Sequence, residues 1–241
     1  MGILAESRSS YRELARVQKP GLGVPWYMRE VNRRLGRALA SVAAQLRLTP
    51  NQMTAASALA FVGGVTILVM LEPGVATAVA SVLLLQLGFA FDAADGQLAR
   101  LTGLGSSAGE WLDHVVDAAR HLVFHLAVLI GLYRFTDVPD AALLLPLAFA
   151  VVVSVRFFAQ ILAEQLRGRQ AGSEPAASSR LSSWIQAPAD TGVINAVVLM
   201  WPWASAFMAA YGALALANLV LLVATARRRH RELATPVAVL G

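Results

Sequence analysis

Six apolar stretches separated by short polar breaks constrain the fold of this chain more than any other feature. Each stretch is close to the roughly 20 residues that an α-helix needs to cross a bilayer. The chain is 57% hydrophobic and 15% charged, which is too apolar for an ordinary soluble domain of 241 residues. We therefore predict an all-α, polytopic membrane protein. Its six transmembrane helices are expected over residues 52–71, 75–91, 111–133, 141–162, about 185–201, and 204–225.

A basic amphipathic helix is predicted ahead of the first span, over residues 26–48. Apolar residues recur there at three- and four-residue steps and arginines fill much of the remainder, which suits the membrane interface. A helix packed on the membrane domain is the alternative. Residues 1–25 have no continuous apolar core, so they are expected to form a cytosolic segment and not a cleavable signal peptide. We predict the membrane domain over 50–226 and a basic cytosolic tail over 227–241.

Positive charge is distributed unevenly about the predicted spans. The breaks at 72–74, 135–140 and 201–203 fall on one side, which carries only Arg134, and the other side carries the remaining arginine clusters. By the positive-inside rule, both termini and the loop after the second span face the cytoplasm. We attribute the net charge of +5 to arginines that set the membrane topology and attract anionic lipid headgroups. No nucleic-acid partner is expected, because base-stacking aromatic residues are not interleaved with the arginines.

Four aspartates lie within the apolar sequence near the end of the second span and the start of the third. Asp92 and Asp95 are three residues apart and Asp113 and Asp117 are four apart, so each pair shares a helix face. A Gly- and Ser-rich segment, 102–107, predicts a tight loop that brings the pairs together. An ionised carboxylate at a helix centre costs about 2.5 to 3.5 kcal/mol on insertion scales, so cations are needed among four of them.

The kind of cation follows from the ligands. The chain has no cysteine, and oxygen ligands without a thiolate or a close histidine select Mg²⁺, Mn²⁺ or Ca²⁺ over zinc. The pattern therefore predicts a one- or two-metal site for phosphate chemistry. Ordinary charged residues near helix ends, held by ion pairs, are the alternative interpretation.

Small and basic residues accompany the aspartates. Gly96 and Gly109 remove side chains where a ligand or a neighbouring backbone comes close, and Ala99 keeps the same wall thin. Arg100 offers a guanidinium fork to a phosphate or to a carboxylate. Ahead of the first span, the segment 48–54 combines a plausible N-cap, Thr49, with Pro50 in the first helical turn.

Between Asp92 and Asp117, eight residues stand at the fixed positions of the pattern D-x-x-D-G-x-x-A-R-x8-G-x-x-x-D-x-x-x-D. This pattern resembles, at all its fixed positions, the signature of the class I, integral-membrane CDP-alcohol phosphotransferases, also called CDP-alcohol phosphatidyltransferases. The segment 49–54, T-P-N-x-x-T, is similar to the entry of the first transmembrane helix in many members. The number and placement of the apolar spans extend the resemblance across most of the chain.

The resemblance implies an enzyme that displaces CMP from a CDP-linked donor by the hydroxyl of a polar alcohol. Asp92, Asp95, Asp113 and Asp117 would hold Mg²⁺ or Mn²⁺, as two ions, and Asp117 would take the hydroxyl proton. The residues expected to bind the donor are Gly96, Ala99, Arg100, Gly109, Asn51 and Thr54. As simple turn and capping residues, Asn51 and Thr54 need no such role.

The substrates and partners are less constrained than the reaction. CDP-diacylglycerol is the expected donor, in phospholipid biosynthesis, and a water-soluble donor such as CDP-inositol is the alternative. The resemblance implies a multi-pass protein of a prokaryotic plasma membrane that opens to the cytosol, and members are commonly homodimers, which these residues neither support nor exclude.

A non-enzymatic cation or proton transporter is the rival class. It predicts acidic residues spread across the bilayer depth, whereas these four cluster at one end.

Three further polar residues lie inside predicted spans. His121 and His125 follow Asp117 at four-residue steps, but His125 is about 12 Å away along the helix axis, too far for a compact site. We predict hydrogen-bonded packing for His125 and leave His121 as a partner of Asp117. Arg156 is expected either to contact the acceptor or a phosphate, or to pair with Asp190 or Glu164.

Overall fold

Helices account for all regular secondary structure in the described residues of the computed structural model, which are 10, 11, 14, 15, 24–168 and 180–234. A short π-helical turn, Met28–Asn32, leads into the first α-helix, and 3₁₀ turns occupy Asp140–Leu143, Ala187–Ala189 and Val197–Met200. The α-helices in chain order are α1 (Arg33–Gln45), α2 (Pro50–Met70), α3 (Val75–Thr102), α4 (Ser107–Phe135), α5 (Leu144–Gly168), α6 (Arg180–Ile185), α7 (Thr191–Ala196) and α8 (Ala204–Ala234).

The entry to α2 follows from its local sequence. Thr49 is the N-cap: its side chain accepts a hydrogen bond from the Gln52 amide while the Gln52 side chain accepts one from the Thr49 amide. This reciprocal capping box and Pro50 in the first turn start the helix where the sequence predicts it. Just before it, Arg47 adopts a φ of 56°, in the left-handed region, and lets the chain reverse after α1.

Five of the predicted membrane spans are found as long apolar helices in the described residues. They are Pro50–Met70, Val75–Thr102, Ser107–Phe135, Asp140–Leu166 and Ala204–Ala234. Their packing buries a core that runs between α2, α3, α4, α5 and α8. Its largest fully buried side chains include Leu68, Leu85, Leu132, Phe149, Phe207 and Tyr211.

The stretch predicted as a single span over 185–201 is not one continuous helix. The α6 helix ends at Ile185, and a 3₁₀ turn carries Pro188, which cannot donate a backbone hydrogen bond. Asp190 then starts α7, because its carboxylate accepts the Gly192 amide at 2.9 Å. The apolar helical stretch Thr191–Met200 is about 15 Å long, half of a hydrocarbon core, so the count of six transmembrane helices is not confirmed.

The predicted amphipathic helix corresponds to the π-helical turn and α1. Small residues, Gly36, Ala40 and Ala43, are buried where α1 packs against α3 and α2. A neighbouring stripe of the same helix carries exposed Leu35, Val42 and Leu46. The helix is thus both packed on the membrane domain and amphipathic toward its surroundings, and its position in the membrane interface stays a prediction.

One close helix contact generates a test of the packing. A methyl group at Gly131 of α4 would lie 2.6 Å from the Leu68 carbonyl oxygen and 2.7 Å from the Trp201 ring. Gly131→Ala should therefore lower the free energy of unfolding by about 1 to 3 kcal/mol, because a backbone and a packed ring must move. Thermal unfolding of the purified protein in detergent measures this.

The matched control is Gly212→Ala in α8, where the added methyl group meets only Leu145, at an ordinary 3.5 Å. That variant should be neutral or gain up to about 1 kcal/mol from helix propensity. Equal unfolding temperatures for the two variants would contradict this account of the α2–α4 contact.

Candidate active site

The four aspartates converge where α3 ends and α4 begins. Helix α3 continues beyond the apolar stretch to Thr102, Gly103 closes it at a φ of 69°, and Ser106 caps α4 by accepting the Gly109 amide at 3.1 Å. This tight loop matches the one predicted from the glycines and serines. It brings carboxylate oxygens of Asp92, Asp95 and Asp113 within 4.8 Å of one another.

A second group shares one member with the first. Asp113, His114 and Asp117 also present ligand atoms within 4.8 Å of one another. Asp113 thus belongs to both groups, and its Oδ1 atom is buried without a hydrogen-bond partner among the described residues. An unpartnered buried carboxylate oxygen among three other carboxylates fits a divalent cation, and carboxylate oxygens suit Mg²⁺ or Mn²⁺. The nearby His114 imidazole is a ligand type that the sequence prediction did not include.

Helix α2 supplies a polar partner to the most buried aspartate. Asp95 is 5% exposed, and its Oδ2 atom accepts a hydrogen bond of 2.7 Å from the Thr54 hydroxyl. The contact joins residues 41 apart in sequence, on helices packed side by side. A charge-assisted hydrogen bond of this kind holds the carboxylate in one orientation.

A buried arginine lies on the opposite side of the aspartates. Nη1 of Arg120 forms salt bridges with Asp92 and, at 3.1 Å, with Asp117. Its Nη2 donates to the hydroxyl of Ser57, which itself donates to the Gly88 carbonyl. The pairing of Arg120 with carboxylates therefore links α4 to both α3 and α2.

Two cavities flank the aspartates. The first, which we call the loop cavity, has a volume of about 490 Å³ and includes Asp95 and Asp113 in its wall. The second, the core cavity, has a volume of about 450 Å³ and includes Asp92 and Asp117. The four carboxylates are thus divided between the two cavities, with Asp95 and Asp113 lining the first and Asp92 and Asp117 the second.

The residues predicted to bind a donor all lie together in the wall of the loop cavity. They are Asn51, Thr54, Gly96, Ala99, Arg100 and Gly109. A methyl group at Gly96 would meet only the Arg100 guanidinium, at 3.5 Å, and one at Gly109 would lie 3.2 Å from the Asn51 side-chain oxygen. The two glycines therefore keep this wall open beside the carboxylates.

Arg156 lies in the wall of the core cavity. Its Nη2 donates to the Ala189 carbonyl at 3.1 Å, and its Nε is buried with no hydrogen-bond partner among the described residues. The predicted alternative pairings, with Asp190 or Glu164, do not form there: Asp190 accepts backbone amides and Glu164 accepts from Gln160. The guanidinium thus keeps donor capacity next to an open volume.

The two histidines of α4 have separate surroundings. His121 donates from Nδ1 to the backbone carbonyl of Asp117 at 2.7 Å, not to its carboxylate, and stacks on Phe157. His125 hydrogen-bonds to the Tyr211 hydroxyl and packs against Phe149, as the packing hypothesis predicts. Both also line the core cavity.

Sequence reasoning missed two residues of this region. His114 follows Asp113 directly and is three residues from Asp117, so its helical spacing could have placed it in the group. Ser57 gave no such signal, because a serine in an apolar helix is common. Its contact with Arg120 depends on how α2 packs on α3 and α4.

Comparison with known proteins connects this geometry to a family. The family model described as CDP-alcohol phosphatidyltransferase matches residues 47–226. No curated protein was found to match the chain. Two solved structures of Mycobacterium tuberculosis phosphatidylinositol phosphate synthase (PgsA1) are similar in fold, each at 18% identity. The complex with manganese and citrate has a TM-score of 0.59 and covers 83% of this chain and 92% of that one. The CDP-DAG-bound structure has a TM-score of 0.57, with 87% and 99% covered.

The contact between Thr54 and Asp95 yields a testable expectation. Thr54→Val keeps the shape of the side chain but removes the hydroxyl that orients Asp95, so Mn²⁺ affinity should fall about 10- to 100-fold. Titration of the purified protein with Mn²⁺, followed by electron paramagnetic resonance of the free ion, measures this.

Thr136→Val serves as the control, since Thr136 donates only to the Leu132 carbonyl at the far end of α4. Wild-type affinity in the Thr54 variant would show that this hydrogen bond does not organise the metal ligands.

Proposed function

Since this chain belongs to the CDP-alcohol phosphatidyltransferase family, we propose that it transfers a phosphatidyl group from CDP-diacylglycerol to the hydroxyl of a polar alcohol. CMP is the second product, and the reaction belongs to phospholipid biosynthesis. The observation that carries the proposal is the division of four carboxylates between two cavities. This division lets a donor in one cavity and an acceptor in the other reach the same group of carboxylates.

The loop cavity is the proposed donor site. Its wall combines the glycines of the signature with Arg100, whose guanidinium can bind a phosphate oxygen. The similar fold of a synthase with CDP-DAG bound supports CDP-diacylglycerol as the donor. A water-soluble CDP-alcohol is the alternative donor for the same chemistry.

Two divalent cations, Mg²⁺ or Mn²⁺, are proposed at the four aspartates, with Asp113 shared between both ligand groups and His114 beside them. When bound, such ions neutralise the pyrophosphate and stabilise negative charge on the oxygens in transfer. The complex of a similar fold with manganese supports the choice of ion.

The core cavity is the proposed acceptor site. Asp117 faces it and accepts the proton of the acceptor hydroxyl, whose oxygen then forms a bond to the lipid-side phosphorus. The bond from that phosphorus to the oxygen of CMP breaks, and CMP leaves with the electron pair. Arg156 is placed to bind an anionic group of the acceptor, because its guanidinium lies at the wall of that cavity and only its Nη2 atom has a hydrogen-bond partner among the described residues.

The chain is a multi-pass membrane protein by its five long apolar helices. We propose that the interrupted segment 185–201 completes a sixth crossing, and that both termini and the aspartate loop face the cytosol of a prokaryotic cell. The supporting observation is the charge distribution, with arginine clusters near 29–47 and 227–231 on the side of the aspartate loop. The CDP headgroup of a donor in the cytosolic leaflet, or of a water-soluble donor, then reaches the loop cavity from the cytosolic side.

The reaction is tested by CMP release from protein in nanodiscs with Mg²⁺ or Mn²⁺. CDP-diacylglycerol and water-soluble CDP-alcohols are each paired with phosphorylated and unphosphorylated polyols. Asp117→Asn and Asp92→Asn should each lower kcat at least about 100-fold, because the first removes the proton acceptor and the second a metal ligand.

Asp137→Asn is the matched control, since Asp137 is exposed in the break between α4 and α5. CMP release that persists in the Asp117 and Asp92 variants would overturn the assignment. Absence of both CDP binding and metal binding in the wild type would favour the transporter alternative.

The acceptor site is tested through Arg156. With a phosphorylated acceptor, Arg156→Gln should raise the acceptor KM about 10- to 100-fold, which corresponds to the 1.5 to 3 kcal/mol of a charge-assisted hydrogen bond. The donor KM should not change, because the loop cavity lies across the carboxylates. An equal rise in both values would place Arg156 outside the acceptor site.

A further inference from the structure

Arg120 links the two carboxylates that face the core cavity, and no position of the aspartate signature contains it. We propose that Arg120, fixed by Ser57, is a positioning residue that sets the relative orientation of Asp92 and Asp117. The inference rests on the proposed function, in which Asp117 accepts the hydroxyl proton. Arg120 would thus orient the two carboxylates as well as neutralise their negative charge.

Arg120 is held by contacts that involve three helices. Arg120 lies on α4, Asp92 on α3 and Ser57 on α2. One nitrogen contacts a single oxygen, Oδ1, of each aspartate, and another donates to the Ser57 hydroxyl. Both carboxylates keep their second oxygen outside this contact. A contact to one oxygen of each group fixes its plane and leaves the other oxygen for a cation or a proton.

Ser57, the hydroxyl partner of Arg120, itself has a fixed orientation. Its side chain is fully buried, and its hydroxyl donates to the Gly88 carbonyl, so it presents a lone pair to Arg120. A methyl group at Gly88 would lie 3.0 Å from the Ser57 carbonyl oxygen, so α2 and α3 are in close contact at this point. The Ser57 hydroxyl that accepts from the guanidinium is therefore held at a close contact between α2 and α3.

Arg120 is buried and only partly paired. The Arg120 side chain is 10% exposed, and its Nε is buried with no hydrogen-bond partner among the described residues. A buried ion pair with an unsatisfied donor is a poor device for stabilising a fold. Arg120 is better suited to orienting the carboxylates, because the forked shape of its guanidinium lets it contact two carboxylates and a hydroxyl at once.

The experiment uses two substitutions that keep the positive charge. Arg120→Lys retains the charge but loses the fork, and Ser57→Ala retains the arginine but removes its alignment. Arg134→Lys is the matched control, because Arg134 is exposed near the other end of the same helix. Each purified variant in nanodiscs is assayed for kcat, for the KM of both substrates, and for Mn²⁺ affinity without substrate.

If Arg120 positions the carboxylates, Arg120→Lys lowers kcat and Mn²⁺ affinity about 10- to 100-fold, and Ser57→Ala lowers both by a smaller factor. At Mn²⁺ concentrations that saturate each variant, the donor KM stays within twofold of wild type, since no residue of the loop cavity is changed. A role in charge or stability alone predicts wild-type kcat and Mn²⁺ affinity in the folded fraction of both variants, and that result overturns the proposal.

The outcome remains decisive if the proposed reaction fails. A wild-type protein that binds Mn²⁺ but releases no CMP contradicts the proposed function, and Mn²⁺ affinity alone then tests Arg120. Weaker Mn²⁺ binding in both charge-conserving variants supports its positioning role, and unchanged binding overturns it. Size-exclusion chromatography and thermal unfolding establish which fraction of each variant is folded.

Discussion

The repulsion among four carboxylates at one end of an apolar helix bundle is the constraint on which the rest of this structure depends. Ionised side chains are costly inside a membrane unless they have partners, and like charges within a few ångströms increase that cost. The fold supplies partners from two sides, the Thr54 hydroxyl to Asp95 and the Arg120 guanidinium to Asp92 and Asp117. Asp113 keeps an unpartnered oxygen, so the compensation is incomplete without a cation.

The close packing of α2 on α3 is a consequence of this constraint. The hydroxyls of Thr54 and Ser57 are on short side chains, so α2 must approach α3 closely for them to act near the aspartates. Gly64 and Gly88 permit that approach, and a methyl group at either would fall within about 3 Å of atoms on the facing helix. The small residues of the helix interface therefore permit the contacts that the polar residues of the site make.

The parts of the structure that the sequence predicts depend on local spacing. Five spans, the capping of α2 and the loop between α3 and α4 follow from runs of apolar residues, a capping box, and glycine with serine. The aspartates come together because three- and four-residue steps hold on any helix. The interruption near Pro188 and Asp190 was missed although the sequence signals it, because a proline disfavours a continuous helix and an aspartate is a common N-cap. The contacts of Arg120 with Ser57 and the division of the carboxylates between two cavities depend on how distant helices cross, which no local pattern contains.

The docking of the chain's beginning onto its interrupted segment shapes the core cavity. The Met28 amide donates to Asp190, 162 residues later, so Val24, Pro25 and Met28 form one wall of the core cavity. The family model begins at residue 47, after this wall and before the aspartates. Part of the core-cavity wall therefore lies outside the residues that the family model matches, whereas the four carboxylates lie inside them. A substitution at Val24 or Pro25 changes the shape of that wall without altering a carboxylate or its spacing.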